Sequence, residues 1–400
     1  MKILVINSGS SSIKFKLFDM NDNSVICKGL ISQIGQDNSE AQITNVKTNQ
    51  KIQKAINIPD HGVGIDIMNS LIFESKSLNS LDEIDAVGHR VVQGAELFKD
   101  AALVNDDVIN KIASLIPIAP LHNGVNLAGI KECLRANPST PNVAVFDTVF
   151  HQTMEKSAYL YALPLEFYEK YKIRKYGAHG TSHEFVLKES AKLLGKKVEE
   201  MNAITLHIGS GASIAAIKNG KVIDTSMGFT PLEGLMMGSR CGDIDPAVIV
   251  YLEQNAGLSP KEIDDVMNKK SGLLAICGTN DMRIINDRVQ NGDEMAILAD
   301  EMFVRRIKKY IGAYHALIGK LDAIVFTAGI GENDERVRAN VCAGLEVFGM
   351  ELDLAKNDIR SGEVRKISKE GSKVAIIVAP TDEELAIAEQ TQRIVKQNKA

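Results

Sequence analysis

The sequence predicts an α/β protein of two domains. Short apolar runs that end on polar, glycine-containing turns alternate with helical stretches, the pattern of a largely parallel sheet flanked by helices. The same strand–turn–strand opening occurs twice, near residues 3–17 and 203–223. A chain of 400 residues is also longer than one ordinary core supports.

The elements follow in order. Ile3 to Ile6 is an apolar run rich in branched residues, ended by Asn7-Ser8-Gly9. Ile13, Phe15 and Leu17 then alternate with Lys14 and Lys16, the period of two expected of a half-buried strand. Val143 to Phe146 reads as a strand ending on Asp147. Ala203 to His207 runs into Gly209-Ser210-Gly211 and then Ser213 to Ile217, and Asn219-Gly220 before Val222-Ile223 predicts a tight hairpin. Ala323 to Phe326 leads into Thr327-Ala328-Gly329-Ile330-Gly331, and Val374 to Val378 ends on Ala379-Pro380-Thr381. Helices are expected near 104–116, 184–195, 294–318 and 382–397. Polar loops at strand ends are where α/β folds hold ligands.

Composition narrows the function. Hydrophobic residues at 44% and charged residues at 24% describe a water-soluble globular chain. With 46 basic against 51 acidic residues, the net charge of −5 argues against general nucleic-acid binding. The five cysteines, 27, 133, 241, 277 and 342, are widely spaced and odd in number. That suits reduced thiols in a cytoplasmic protein better than disulfides or zinc. No stretch reaches the length of a membrane span.

The chain has no Gly-x4-Gly-Lys-Ser/Thr motif, and Gly209-Ser210-Gly211 lacks the third glycine of a dinucleotide fingerprint. Any bound phosphate must instead meet hairpin loops through backbone N–H groups and hydroxyls. Asn7 to Ser12 with Lys14 supplies such donors, and either a polar turn or a phosphate loop is open from these residues alone. Histidines 89, 122, 151 and 179 each fall beside glycine, proline or Asp-Thr punctuation. His179-x3-His183 has a zinc-like spacing, but Gly180 argues against a helix there, and Thr181 with Glu184 reads as a capping box. Asn333 is expected to cap a helix after Gly329-Ile330-Gly331-Glu332, and Thr381 with Glu384 to cap the last helix, leaving Glu383 free. Asp224 to Pro246 holds four glycines and two prolines among Leu, Met and Phe and carries Arg240. Such a segment reads as an ordered substrate or lid loop.

Taken in order, these segments resemble the acetate kinase family of the acetate and sugar kinase/Hsp70/actin superfamily. The matching stretches are Asn7–Lys14, His89–Val92, Pro120–Asn123, Phe146–Thr148, Tyr176–His183, His207–Ser213, Asp224–Pro246, Asp281–Arg283, Phe326–Asn333 and Thr381–Glu384. The resemblance implies a duplicated ribonuclease-H-like core, an interdomain cleft for ATP, and a homodimer. It implies a substrate-side domain of residues 1–147 plus 383–400 and a nucleotide-binding domain of residues 148–382. Residue by residue, it assigns catalysis to Asn7, Arg90, His122, Asp147, His179 and Arg240. The nucleotide falls to Lys14, His207, Ile208, Gly209, Ser210, Gly211, Asp281, Met282, Arg283, Gly329, Ile330, Gly331, Glu332 and Asn333. Arg90, Val92, Leu121 and Pro231 would bind the carboxylate substrate and its methyl group, and Asn7, Asp147 and Glu383 a Mg²⁺ (or Mn²⁺) ion. Ser210 stands where an asparagine is common, and Ala178 where some members have an aromatic residue.

The implied reaction is reversible phosphoryl transfer from ATP to acetate, giving acetyl phosphate and ADP. Propionate or butyrate kinase would differ only in pocket shape. A sugar kinase would use Asp147 as a base toward an alcohol and has less need of paired arginines. An actin- or Hsp70-like ATPase would share the core and work through conformational change instead.

Overall fold

The computed structural model describes residues 1–120 and 122–399. The chain forms two compact units, one of residues 1–149 with the segment after Thr381, the other Phe150–Thr381.

The first unit is built on an eight-stranded sheet. Its strands are β1 (Lys2–Gly9), β2 (Ser12–Asp19), β3 (Ser24–Ser32), β4 (Glu40–Asn45), β5 (Gln50–Ala55), β6 (Ala86–Val91), β7 (Ala102–Leu103) and β8 (Asn142–Phe146). They lie in the order β5-β4-β3-β2-β1-β6-β8-β7. The first five form an antiparallel meander, while β6 and β8 run parallel to β1. Strand β1 is apolar from Ile3 to Ile6 because both its faces are covered there. Leu4 and Ile6 pack with Ile13, Phe15 and the helix His61–Glu74, whereas Ile3 and Val5 pack with Ile387, Ala388, Ile394 and Val395 of the helix Glu383–Lys399. The last helix passes close to Gly88, since a Cβ there would run into Thr391 Oγ1.

The second unit repeats the plan. Its strands are β9 (Ala203–Ile208), β10 (Ala212–Lys218), β11 (Lys221–Thr225), β12 (Ala323–Thr327), β13 (Arg365–Lys366) and β14 (Ala375–Val378). They lie in the order β11-β10-β9-β12-β14-β13, with β9 to β11 antiparallel and β12 and β14 parallel to β9. Order and direction of β3-β2-β1-β6-β8 and of β11-β10-β9-β12-β14 are the same, so the ribonuclease-H-like core is present twice. The long helix Glu294–Ile318 supplies Phe303, Ile307 and Ile311 to one side of this second core. Val186, from the helix Gly180–Leu193, packs on Ala323, Val325 and Ile377. Asn219 and Gly220 both have positive φ (51° and 71°), the turn that the Asn-Gly pair predicts.

Three helix starts differ from the sequence reading. The helix after Gly177 begins at Gly180 with His179 itself at the cap position, so Thr181 lies inside its first turn. The last helix begins at Glu383, and Asp382 caps it by accepting from Leu385 N at 3.0 Å. Glu384 is turned aside to Lys16 (3.1 Å). Asn333 ends the short helix Ala328–Asn333, and Asp334 caps the next by accepting from Val337 N. In two of the three an aspartate outcompetes the predicted cap, because its short carboxylate reaches the third N–H directly. Among the described residues no helix is long and apolar enough to cross a membrane, and all five cysteines are free thiols.

Candidate active site

In the first unit the predicted residues gather where the parallel strands end. Asn7 lies near the end of β1, opposite Lys14 of β2. Arg90 lies near the end of β6, and Asp147 follows β8. Arg90 Nη2 and Nε lie 2.6 and 2.9 Å from Asp147 Oδ2, and Arg90 Nε lies 3.8 Å from Glu383 Oε2. One guanidinium therefore joins a buried carboxylate to one at the head of the last helix. Burial, with Asp147 and Glu384 nearby, pushes the Glu383 carboxyl up to about 6 against the opposing pull of Arg90 and Lys14. Among the described residues no three His, Cys, Asp or Glu side chains converge as a metal cage. Asp147 and Glu383 amount to a two-carboxylate edge.

His122 occupies the cap position of the helix Asn123–Ala136 without a side-chain cap bond. The sequence reading gave no role to the two asparagines that follow, Asn123 and Asn126. Asn126 donates to Ser8 O (2.9 Å) and accepts from Val92 N (3.1 Å), and Asn123 bonds both Gln93 N and Gln93 O. They tie the ends of β1 and β6 together and set the backbone at Val92. Their signal was two asparagines on the buried side of a helix, where unpaired amides are costly. Leu121 lies outside the described residues.

In the second unit His179 adopts the left-handed backbone conformation (φ 57°, ψ 23°), a strain of ~1–3 kcal/mol that tends to collect at functional sites. Its ring stacks on His207 with centroids 4.1 Å apart. His179 Nδ1 and His183 Nε2 both meet Ser213 Oγ, at 2.9 and 2.8 Å. Behind His207, Nδ1 lies 2.8 Å from Ser182 Oγ, which bonds Thr381 Oγ1. Zinc is poorly served by this pair, because His183 is committed to Thr205 and Ser213.

The glycine turn lies beside them. A methyl group at Gly211 would sit 3.5 Å from Arg240 Nη1 and 3.7 Å from His179 Cε1, so glycine leaves room between the two side chains. Ser210 O accepts from Gly238 N at 3.0 Å, which fastens the turn to the Asp224–Pro246 segment. That segment is ordered from both sides. Leu235, Met236 and Met237 are buried in the core, while Asp243 accepts from Gly234 N and Tyr310. Arg240 Nη1 donates to Pro231 O (3.1 Å), and among the described residues its charge meets no carboxylate. Burial alone lowers its pKa, which makes it a cation suited to an incoming anion.

A cavity of ≈ 580 Å³ is lined by Ser210, Asp281, Met282, Arg283, Gly329, Ile330 and Asn333. It brings together predicted nucleotide residues from three segments. Other members of that set are placed differently. Ile208 is a core residue, Gly331 is buried, and Glu332 Oε1 accepts from Ala328 N (2.8 Å) and Thr381 N (3.0 Å). Glu332 therefore holds the strained Ala328 (φ 64°) and the chain at Thr381. Ala178 is buried in the core of this unit, its carbonyl accepting from His151.

The sequence pattern of the acetokinase family matches residues 2–389. An acetate kinase of Campylobacter fetus subsp. fetus is 66% identical over 399 residues, covering 100% of both chains. The crystal structure of Porphyromonas gingivalis acetate kinase superposes with a TM-score of 0.94 at 44% identity, over 98% of this chain and 99% of that one. A propionate kinase from Francisella tularensis gives a TM-score of 0.92 at 42% identity, over 98% and 99%. With pattern, full-length relatives and both cores in agreement, the chain belongs to the acetokinase family.

Proposed function

We propose that this chain is an ATP:acetate phosphotransferase that makes acetyl phosphate and ADP by direct in-line transfer and, in reverse, makes ATP. The observation that carries the reading is Arg240, a partly buried guanidinium without a carboxylate among the described residues, set beside His179 across Gly211. Acetate is already ionised at neutral pH, since carboxyl pKa values lie at roughly 4–5. No base is required. The difficulty is holding two anions together, which calls for preorganised positive charge and donors.

In this reading Arg90 meets the acetate carboxylate, and Arg240 and His179 donate to the transferring phosphoryl group. Asn7 and His122 add donors. Val92, Leu121 and Pro231 are assigned to the methyl group, and the cavity at Ser210, Asp281 and Gly329 takes the nucleotide. Asp147 and Glu383 suit Mg²⁺ (or Mn²⁺), which commonly leans on one or two carboxylates, substrate phosphates and water. Bound there, the ion would neutralise charge on the phosphates. Asp147 meanwhile holds the Arg90 fork in place.

The assay is trapping of the acyl phosphate as a hydroxamate, with ATP, Mg²⁺ and a panel of carboxylates. Acyl phosphate from acetate is expected. ATP turnover that needs no small carboxylate would point instead to an actin- or Hsp70-like ATPase. A preference for propionate would favour the second reading, which the Francisella tularensis relative supports. The protein acts as a cytoplasmic homodimer in this proposal. The helix Ala247–Asn255 buries no residue and leaves Tyr251 66% exposed, an apolar face suited to a second copy. Light scattering should give twice the chain mass, and Tyr251→Glu should lower it.

A further inference from the structure

The ring of His179 is gripped from behind by a chain of hydroxyls and imidazoles. His179 Nδ1 lies 2.9 Å from Ser213 Oγ, the same oxygen lies 2.8 Å from His183 Nε2, and His183 Nδ1 lies 2.7 Å from Thr205 Oγ1. Ser213, His183 and Thr205 are all 0% exposed. Thr205 and Ser213 stand on the paired strands β9 and β10, and Ser213 is in register with His207. The sheet thus presents both hydroxyls to the helix that begins beneath His179.

Proton counting makes this chain directional. Burial, aided by the rings of His151 and His207, holds His183 neutral, so it carries one N–H. Ser213 has one proton to share between two imidazole nitrogens. If Thr205 donates to His183 Nδ1, then His183 Nε2–H donates to Ser213, and Ser213 donates to His179 Nδ1. A neutral His179 then keeps its own proton on Nε2. Run the other way, the chain takes a proton from His179 Nδ1 and leaves a lone pair at Nε2, which repels a phosphoryl oxygen.

We propose that Ser213 is a positioning residue whose hydroxyl, backed by His183 and Thr205, holds His179 as the Nε2–H tautomer that donates to the transferring phosphoryl group. This rests on His179 meeting that group, as proposed above.

The test begins with ¹⁵N spectra of histidine-labelled enzyme, with His179 assigned by its loss in His179→Gln. In the unaltered enzyme, above the pH at which the ring titrates, the Nε2-protonated form is expected. An Nδ1-protonated ring would overturn the proposal, and this measurement needs no Ser213 variant to fold. Ser213→Ala should mix the two tautomers and lower kcat by about 10–100-fold with KM for ATP and acetate changed less than about threefold, as loss of a partner that orients a functional histidine does. In a His179→Gln background the same change should lower kcat by less than about twofold, because residues acting through one another are not additive. An equal fall in both backgrounds would mean that Ser213 only supports the fold, and would overturn it. Full turnover in His179→Gln, with the tautomer as expected, would locate the failure in the role given to His179 and remove the basis of the inference.

Discussion

Arg90 and Asp147 form a side-on ion pair in which one carboxylate oxygen takes both the Nε and the Nη2 of the guanidinium, at 2.9 and 2.6 Å. The Asp147 side chain is 1% exposed, and the residues come from β6 and the end of β8, neighbours in the sheet. Each therefore depends on the other for its place in the fold.

That dependence separates the two arginines. Arg90→Ala should lower turnover by about 10³-fold or more and also destabilise the first unit by about 3 kcal/mol, since it strands a buried carboxylate. Arg240→Ala should lose comparable activity with little change in stability, because among the described residues no carboxylate relies on it. Lysine should rescue Arg90 poorly, as it lacks the planar fork. Steady-state kinetics beside urea unfolding check this. Wild-type-like turnover in both alanine variants would sink the mechanism.

The acidic residues at the start of the last helix should divide three ways. Asp382→Ala should cost about 0.5–2 kcal/mol as a lost cap. Glu384→Ala should cost no more than about 1 kcal/mol, since its pair with Lys16 is partly exposed. Glu383→Ala should weaken the response of activity to Mg²⁺ with the smallest change in melting temperature. A Mg²⁺ titration and a thermal melt of each variant decide the assignment, which fails if Glu384→Ala rather than Glu383→Ala shifts the metal dependence.

Substrate size should answer to Val92. Its backbone N–H is set by Asn126, so Val92→Ala should open space without moving the strand end. Acetate is the expected preference of the natural enzyme, and Val92→Ala should raise kcat/KM for propionate relative to acetate about tenfold, the scale of one methylene in an apolar pocket. Ala178→Phe, by contrast, should overpack the core of the second unit and destabilise it by about 1–3 kcal/mol. An unchanged ratio in a folded Val92→Ala variant would remove Val92 from the pocket.

Acid should weaken the first unit through His89. Burial lowers its pKa to about 4, only partly offset by its bond to Asn142. The folded value lies below the unfolded one, so the unfolded chain binds the proton first as pH falls. Stability is full above pH ~6.5 and declines toward pH ~4, by about 2 kcal/mol at pH 5 from this residue. His89→Gln should flatten the fall in unfolding free energy between pH 7 and pH 5. An equal slope in both proteins would show that His89 is not the group responsible.

The strands were legible because Ile3–Ile6 of β1 is a continuous apolar run and β2 alternates from Ile13 to Leu17, and both patterns are written in single residues. The doubled opening was legible for the same reason. Helix starts were not, because Thr181, Asn333 and Thr381 are good caps in isolation. His179, Asp334 and Asp382 occupy the positions that tertiary packing leaves for a cap. Arg90, Asp147, His179 and Arg240 stood out as polar residues in apolar or glycine-rich surroundings. What local pattern could not reveal is convergence: that Ser213 serves two histidines, or that Glu332 turns inward to Thr381 rather than toward the cavity lined by Ser210 and Gly329.

The helix Glu383–Lys399 has a consequence for how the protein is born. It covers Ile3, Val5 and Val145 on one face of the first sheet, yet it follows the entire second unit in the chain. During synthesis the second unit can close its core while the first still shows that face to solvent. Ile3 and Val5 leave the ribosome long before the helix that covers them. A chaperone that holds nascent chains would find its binding surface there, and ribosome-stalled chains ending before Glu383 should remain sensitive to protease in the first unit alone.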